Sequence, residues 1–218
     1  MELNENVAEL IGVIIGDGNI HRNRKKYRIG ITTGKRSEDY AHFLYLQNII
    51  SREWKKSPFI RIREHSLSMV FDSKEICLFL NEELGLPYGE GKCERVVIPE
   101  ELLRDWKLTR RCLRGIVDTD GTVFAVKKPR VKEYPSIEIT TCSKELAIQI
   151  RKALLCQGFR VANIWTFHSK LMKRDGYRVP LNGKGNLQRW MDEIGFSHPW
   201  KLARAISYLK NNKDNGIS

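Results

Sequence analysis

The chain has no run of apolar residues able to cross a membrane. The stretch after Val7 is interrupted by Gly12 and Gly16 and closed by Asp17, and an acidic, polar start excludes a secretory signal. Its five cysteines, at 77, 93, 112, 142 and 156, contain no Cys-x-x-Cys pair. That excludes the common zinc spacings and a disulfide framework, and implies reduced thiols in an intracellular protein, in cytoplasm or an organelle matrix. His21, His42, His65, His168 and His198 show no metal-ligand spacing. Acids are scarce relative to bases, 26 against 38, and are absent altogether from Asn19 to Ser37.

The resulting net charge of +12 points to a polyanionic partner, because neutralised phosphates release counterions whatever the nucleic-acid sequence. Charge alone does not separate DNA from RNA. At 218 residues the chain is long enough to bury a real core in one or two domains.

What is present is a repeat. Leu10-Ile11-Gly12-Val13-Ile14-Ile15-Gly16-Asp17-Gly18 returns as Leu113-Arg114-Gly115-Ile116-Val117-Asp118-Thr119-Asp120-Gly121. Each copy reads as an apolar helix ending on Asp-Gly, with glycine expected to supply a left-handed cap. Gly12 and Gly16, like Gly115 and Thr119, are four apart and share a helical face, where missing side chains let two backbones approach. Such packing would place Asp17 beside Asp120 at the negative ends of two helices, a double conflict that a hard divalent cation would relieve. An ordinary Asp-Gly turn explains one copy more readily than two.

The remaining pattern also repeats. Basic residues follow the first motif at Arg22, Arg24, Lys25, Lys26, Arg28, Lys35 and Arg36, and alternation from Tyr27 to Thr33 predicts a strand. The hairpin is either a basic ribbon for a major groove or a solvated rim. Helices are expected from Ser37 to Trp54 and from Lys74 to Leu84, with a second hairpin at 59–71 carrying Arg61 and Arg63. Residues 85–94 read as a linker, and Ile98-Pro99 leads into the next helix. The second half offers a hairpin at 122–142 with Lys127, Lys128, Arg130 and Lys132, then a helix at 144–157. Strands at 160–167 and 176–181 and helices at 184–194 and 199–210 complete it. Lys170, Arg174 and Arg178 add charge to the last hairpin. Helix, hairpin, helix, hairpin, helix, taken twice, describes an α+β protein of two pseudo-symmetric αββαββα half-domains packed through the motif helices. The boundaries expected are 1–85 for the first half, 86–106 for linker and lead-in helix, and 107–218 for the second.

Both motifs resemble those of the LAGLIDADG homing endonucleases, in the single-chain form with two fused halves. The resemblance implies a saddle-shaped antiparallel sheet in each half lying along the DNA major groove. It implies metal-binding acids at Asp17 and Asp120, with carbonyls of Gly16 and Thr119 as further ligands, and Mg²⁺ as cofactor with Mn²⁺ substituting. The sixth motif position is Ile15 in one copy and Asp118 in the other, a variation that the family tolerates. Many relatives carry Gln or Lys at the end of each second strand; here Thr33, Gly34 and Lys35 stand in one half and Thr141 and Cys142 in the other. Lys74 and Lys184, at the turn from second hairpin to helix, are candidates for the catalytic basic group or for solvated helix starts. The termini, Met1-Glu2 and Asn215-Gly216-Ile217-Ser218 without a His-Asn junction, lead us to expect a free-standing protein rather than an intein. The implied activity is metal-dependent, site-specific double-strand DNA cleavage with short 3′ overhangs by a monomer without an obligate protein partner, in intron homing. An intron RNA maturase and a non-cleaving DNA-binding regulator are the alternatives.

Overall fold

The computed structural model describes residues 1–89, 91–129, 131–169 and 174–210, with Lys132 and Ser169 described by backbone alone. Helix α1 (Glu5–Ile15) starts where the Asn4 carboxamide accepts from the backbone N–H groups of Asn6 and Val7, and every residue from Val7 to Ile15 is buried. A hairpin of β1 (Gly18–Asn23) and β2 (Lys26–Thr33) follows. Helix α2 (Ser37–Trp54) then crosses to the hairpin of β3 (Phe59–Ile62) and β4 (Leu67–Asp72). These strands form an antiparallel sheet in the order β1-β2-β4-β3, with Ile20, Ile29, Ile31, Leu67, Met69 and Phe71 turned toward the helices.

Helix α3 (Lys74–Leu78) is capped by the Ser73 hydroxyl and widens from Phe79 to Glu83, where the Leu84 N–H reaches back to the Phe79 carbonyl at 3.1 Å. Short helices α4 (Lys92–Arg95) and α5 (Glu100–Leu103) lead to α6 (Trp106–Asp120), which carries the second motif. The segment expected as a plain linker therefore contains a helical turn, α4, too short for any periodicity to announce.

The second half repeats the plan with β5 (Gly121–Lys128), β6 (Val131–Thr141), α7 (Lys144–Cys156), β7 (Trp165–Ser169), β8 (Arg174–Asn182), α8 (Lys184–Glu193) and α9 (Pro199–Lys210). Its sheet order, β5-β6-β8-β7, matches the first. The strand expected from Arg160 starts only at Trp165. The Arg160 N–H is instead taken by the Asn186 side chain at 3.1 Å, and Val161 makes a single bridge to Leu181.

Helices α1 and α6 pack through their glycines. A methyl group at Gly12 would lie 2.1 Å from the Cys112 carbonyl oxygen, and one at Gly115 would lie 2.3 Å from that of Glu9. Opposite charges fix the pairing: Glu5 meets Arg111 at 2.7 Å and Arg110 at 3.3 Å, and the fully buried Glu9 accepts from Arg114 and, at 3.0 Å, from the Tyr45 hydroxyl.

The glycines that follow the acids are not left-handed caps. Gly121 is extended, at φ −92° and ψ 159°, and Gly18 is absent from the positive-φ positions. Both are needed for closeness instead. Each strand leaves its helix so sharply that a Cβ would fall 2.7 Å from the Ile14 carbonyl oxygen at Gly18 and 2.6 Å from that of Val117 at Gly121.

Candidate active site between the motif helices

Asp17 follows α1 and Asp120 ends α6, so the glycine contact that joins the helices also brings the acids together. Next to them a methyl group at Gly16 would lie 2.0 Å from the Thr119 hydroxyl and 3.2 Å from an Asp120 carboxylate oxygen. The Asp17 carbonyl accepts from the Thr32 N–H at 3.2 Å, fixing this turn to the first sheet. Burial raises the pKa of both carboxyls. For Asp120, burial and then the Asp17 charge push it to about 7, while the nearest cations oppose both shifts.

Those cations are Lys92 and Lys201, one per motif. The Lys92 ammonium, from α4, donates to the carbonyls of Ile14 at 2.6 Å, Gly16 at 2.9 Å and Gly18 at 2.6 Å. Lys201, in α9 and almost fully buried, donates to Val117 at 2.6 Å, Asp118 at 2.8 Å and Thr119 at 3.3 Å. Each ammonium therefore satisfies orphan carbonyls at the negative end of a motif helix. Burial lowers both lysines to about 8, against the pull of Asp17 and Asp120. Asp118 acts elsewhere, accepting from the Ser197 N–H at 2.8 Å and hydroxyl at 2.5 Å and so anchoring the chain just before α9 and hence Lys201. Burial pushes its carboxyl up to about 6.

Strand register sorts the basic residues. On the open face of the first sheet, away from the helices, alternation places Asn19, His21, Lys26, Arg28, Thr32 and Arg61, with Arg63 next in the same alternation beyond β3. Arg28 is bidentate to exposed Asp72, at 2.8 and 3.1 Å. Arg22 shares the face of Ile20 and lies 5.4 Å from the Tyr27 ring, Arg24 turns the hairpin at φ 49°, and Arg36 lies over Trp200 of α9. Lys35 donates to the Glu64 carbonyl at 3.4 Å. In the second sheet Lys127 falls at an irregularity in the β5–β6 register, Lys128 stacks on Tyr134, and Arg178 faces Phe167 and Glu138. Arg174 turns to α4, donating to the Cys93 sulfur at 2.6 Å and meeting Glu94 at 3.4 Å. Arg130 and Lys170, with the Lys132 side chain, lie outside the described residues.

A family model for the LAGLIDADG-like domain matches residues 107–195. The I-DmoI homing endonuclease in complex with DNA and calcium has the same fold, with a TM-score of 0.63 at 14% identity over 93% of this chain and 97% of that one. Residues 107–195 are a LAGLIDADG-like domain, and the chain as a whole shares the fold of I-DmoI. The N-terminal LAGLIDADG domain of DUF199/WhiA also shares the fold, with a TM-score of 0.56 at 18% identity over 88% of this chain and 82% of that one. Among curated proteins, replication factor C small subunits are similar. That of Methanocaldococcus jannaschii is 30% identical over 214 residues and that of Thermococcus kodakarensis 29% over 209. These matches take in 98% and 96% of this chain but 11% and 22% of the relatives, so this chain spans about a tenth to a fifth of their length.

The two motif helices place Asp17 and Asp120 together with the carbonyls of Gly16 and Thr119, a hard-oxygen donor set. Among the described residues no cluster of three or more His, Cys, Asp or Glu side chains could hold a metal. Two carboxylates with carbonyls still fit Mg²⁺, which keeps several waters and takes further oxygens from phosphate. The convergence of two buried carboxyls, both raised in pKa by loss of solvent, is the observation that favours a cation there.

Lys74 and Lys184 are not brought to the acids. Gly18 pairs with Ile31, which pairs with Met69, and the chain runs five residues on from Met69 to Lys74, toward the opposite end of the sheet. Gly121, Ile139, Val179 and Lys184 stand in the same relation. The lysines at the acids are Lys92 and Lys201, which sequence reasoning missed. Lys201 left a trace: it shares the buried face of α9 with Ala205, four residues on, where a lysine has no reason to be unless a partner waits. Lys92, in a four-residue helix, left none. No described helix is long and apolar enough to cross a membrane.

Proposed function

We propose that the protein is a divalent-metal-dependent endonuclease that cuts both strands of a long, asymmetric DNA site and leaves short 3′ overhangs, in intron homing. The observation that carries this reading is the convergence of Asp17 and Asp120 at the ends of two glycine-packed helices, between two sheets of like topology. A Mg²⁺ or Mn²⁺ ion there would supply activated water and neutralise charge on the leaving 3′ oxygen. Asp17 and Asp120 would hold it, with carbonyls of Gly16 and Thr119 as they are released from Lys92 and Lys201. The two ammonium groups lie where they can hold the phosphate and its solvent, and they stabilise negative charge that grows as the bond breaks. Lys26, Arg28 and Arg61 on the first open face, and Arg178 on the second, are suited to backbone phosphates. Because the two sheets differ in sequence, the site read need not be a palindrome. Both motif helices lie in one chain and satisfy each other's small-residue faces, so the acting unit is a monomer.

The test is a supercoiled plasmid carrying the uninterrupted host locus, followed for nicked and linear product in Mg²⁺. Asp17→Asn and Asp120→Asn should each lose cleavage of both strands while keeping specific binding within a few fold, since the amide keeps size and removes the charge. Full linearisation by either variant would overturn the assigned site. Specific binding without wild-type cleavage would turn the reading to a regulator, and preference for the intron RNA to a maturase.

A further inference from the structure

Cys93 and Cys142 come from opposite sides of the active-site cleft. Cys93 lies in α4, next to Lys92, and Cys142 directly follows β6. Both sulfurs are free and only partly buried, and together with Gly16 and Asp120 they line one cavity of about 270 Å³, close enough that Cys93 adds to burial in raising the Cys142 thiol. Arg174 donates to the Cys93 sulfur at 2.6 Å, so a guanidinium faces the atom that would carry negative charge as it attacks an oxidant.

We propose that Cys93 and Cys142 form a reversible intramolecular disulfide that locks α4 onto β6 beside the catalytic acids. The oxidant required is a peroxide. The Cys93 sulfur attacks the hydrogen-bearing peroxide oxygen, the O–O bond breaks, and the departing oxygen takes up the thiol proton as water or an alcohol, leaving a sulfenic acid on Cys93. The Cys142 sulfur then attacks the Cys93 sulfur, the S–O bond breaks, and water leaves with the thiol proton. Thiol reductant restores both. A bond at Cys93 fixes the turn that carries Lys92, and so the ammonium that must leave the Gly16 carbonyl before that oxygen can bind a cation. This consequence rests on the nuclease reading; the disulfide does not.

The full chain, in a Cys156→Ser background that removes the exposed thiol, is treated with hydrogen peroxide and mapped by mass spectrometry. A Cys93–Cys142 cross-linked peptide is expected, lost in Cys142→Ser and reversed by dithiothreitol, with amide exchange across 92–97 slowed at least tenfold in the oxidised form. Both sulfurs remaining as thiols, oxidation only to separate sulfenic or higher acids, or a cross-link without slower exchange would each overturn the proposal. In parallel, calorimetry with Mn²⁺ should show binding to the reduced protein weakened at least tenfold on oxidation. Absence of Mn²⁺ binding to the reduced protein counts against the nuclease reading alone, because mapping and exchange still decide the disulfide.

Discussion

The Lys92 ammonium donates to the Gly16 carbonyl at 2.9 Å, the same oxygen that a cation between Asp17 and Asp120 would take as a ligand. Lys201 holds the Thr119 carbonyl at 3.3 Å in the pseudo-symmetric position. Each motif helix thus ends on a positive charge, Lys92 from α4 and Lys201 from α9, which offsets the helix dipole and part of the carboxylate repulsion.

Replacing Lys92 or Lys201 by Met keeps the apolar stem and removes the donor to three carbonyls in each case, of which, among the described residues, only that of Val117 keeps a backbone partner, the Gly121 N–H. We expect a loss of about 1–3 kcal/mol in denaturant melts, larger for Lys201 because it is the more buried. On the nuclease reading, single-turnover cleavage should also fall by roughly two orders of magnitude. Wild-type stability in both variants would mean that the ammonium contacts are incidental.

Gly115→Ala inserts a methyl group 2.3 Å from the Glu9 carbonyl oxygen and 2.7 Å from the Val13 nitrogen, both backbone atoms that cannot swing away. Helix propensity favours Ala over Gly by up to about 1 kcal/mol, so the steric cost must exceed that for the variant to be less stable. Separating α1 from α6 is expected to cost about 1–3 kcal/mol net and to lower Tm. A raised Tm would show that the helices do not need this closeness.

His42 is held neutral far below its usual range, at about 3, by burial first and then by the charges of His198, Lys201 and Arg114. Between pH 6.5 and about 3 the unfolded chain therefore binds a proton at His42 that the folded chain does not, and stability falls as pH falls, by roughly 1.4 kcal/mol per unit for that group. His198, also lowered, adds to this trend; Asp118, raised to about 6, opposes it, because its proton stabilises the fold and is lost as pH rises. The informative quantity is the difference between wild type and His42→Gln in urea melts across this window. The variant should lose less stability on acidification, and parallel curves would show that His42 charges freely in the fold.

For DNA binding, Lys26→Ala and Arg61→Ala should each reduce the slope of log K against log salt by about 1, because both side chains stand on the open face of the first sheet. Arg36→Ala should leave the slope unchanged, since Arg36 is spent over Trp200. Equal slopes for all three would mean that the open face does not contact phosphate.

The sequence by itself determined the two motif helices, the acids that end them and the repeated order of elements. These follow from near-neighbour chemistry: small residues four apart, apolar runs closed by Asp-Gly, and strand alternation. It also marked which stretches are basic. Only the tertiary structure decided which of those charges share a face. A one-residue step in register sends Arg22 to the helices and leaves Arg28 in the open, and Arg36 follows α2 toward Trp200. It likewise showed that Gly18 and Gly121 are required by backbone crowding rather than by a left-handed turn. Lys92 and Lys201 lie 75 and 81 residues from the acids they serve. Their role depends on the path of the chain back to each helix end, and a contact made at that separation leaves no periodic trace for a sequence to carry.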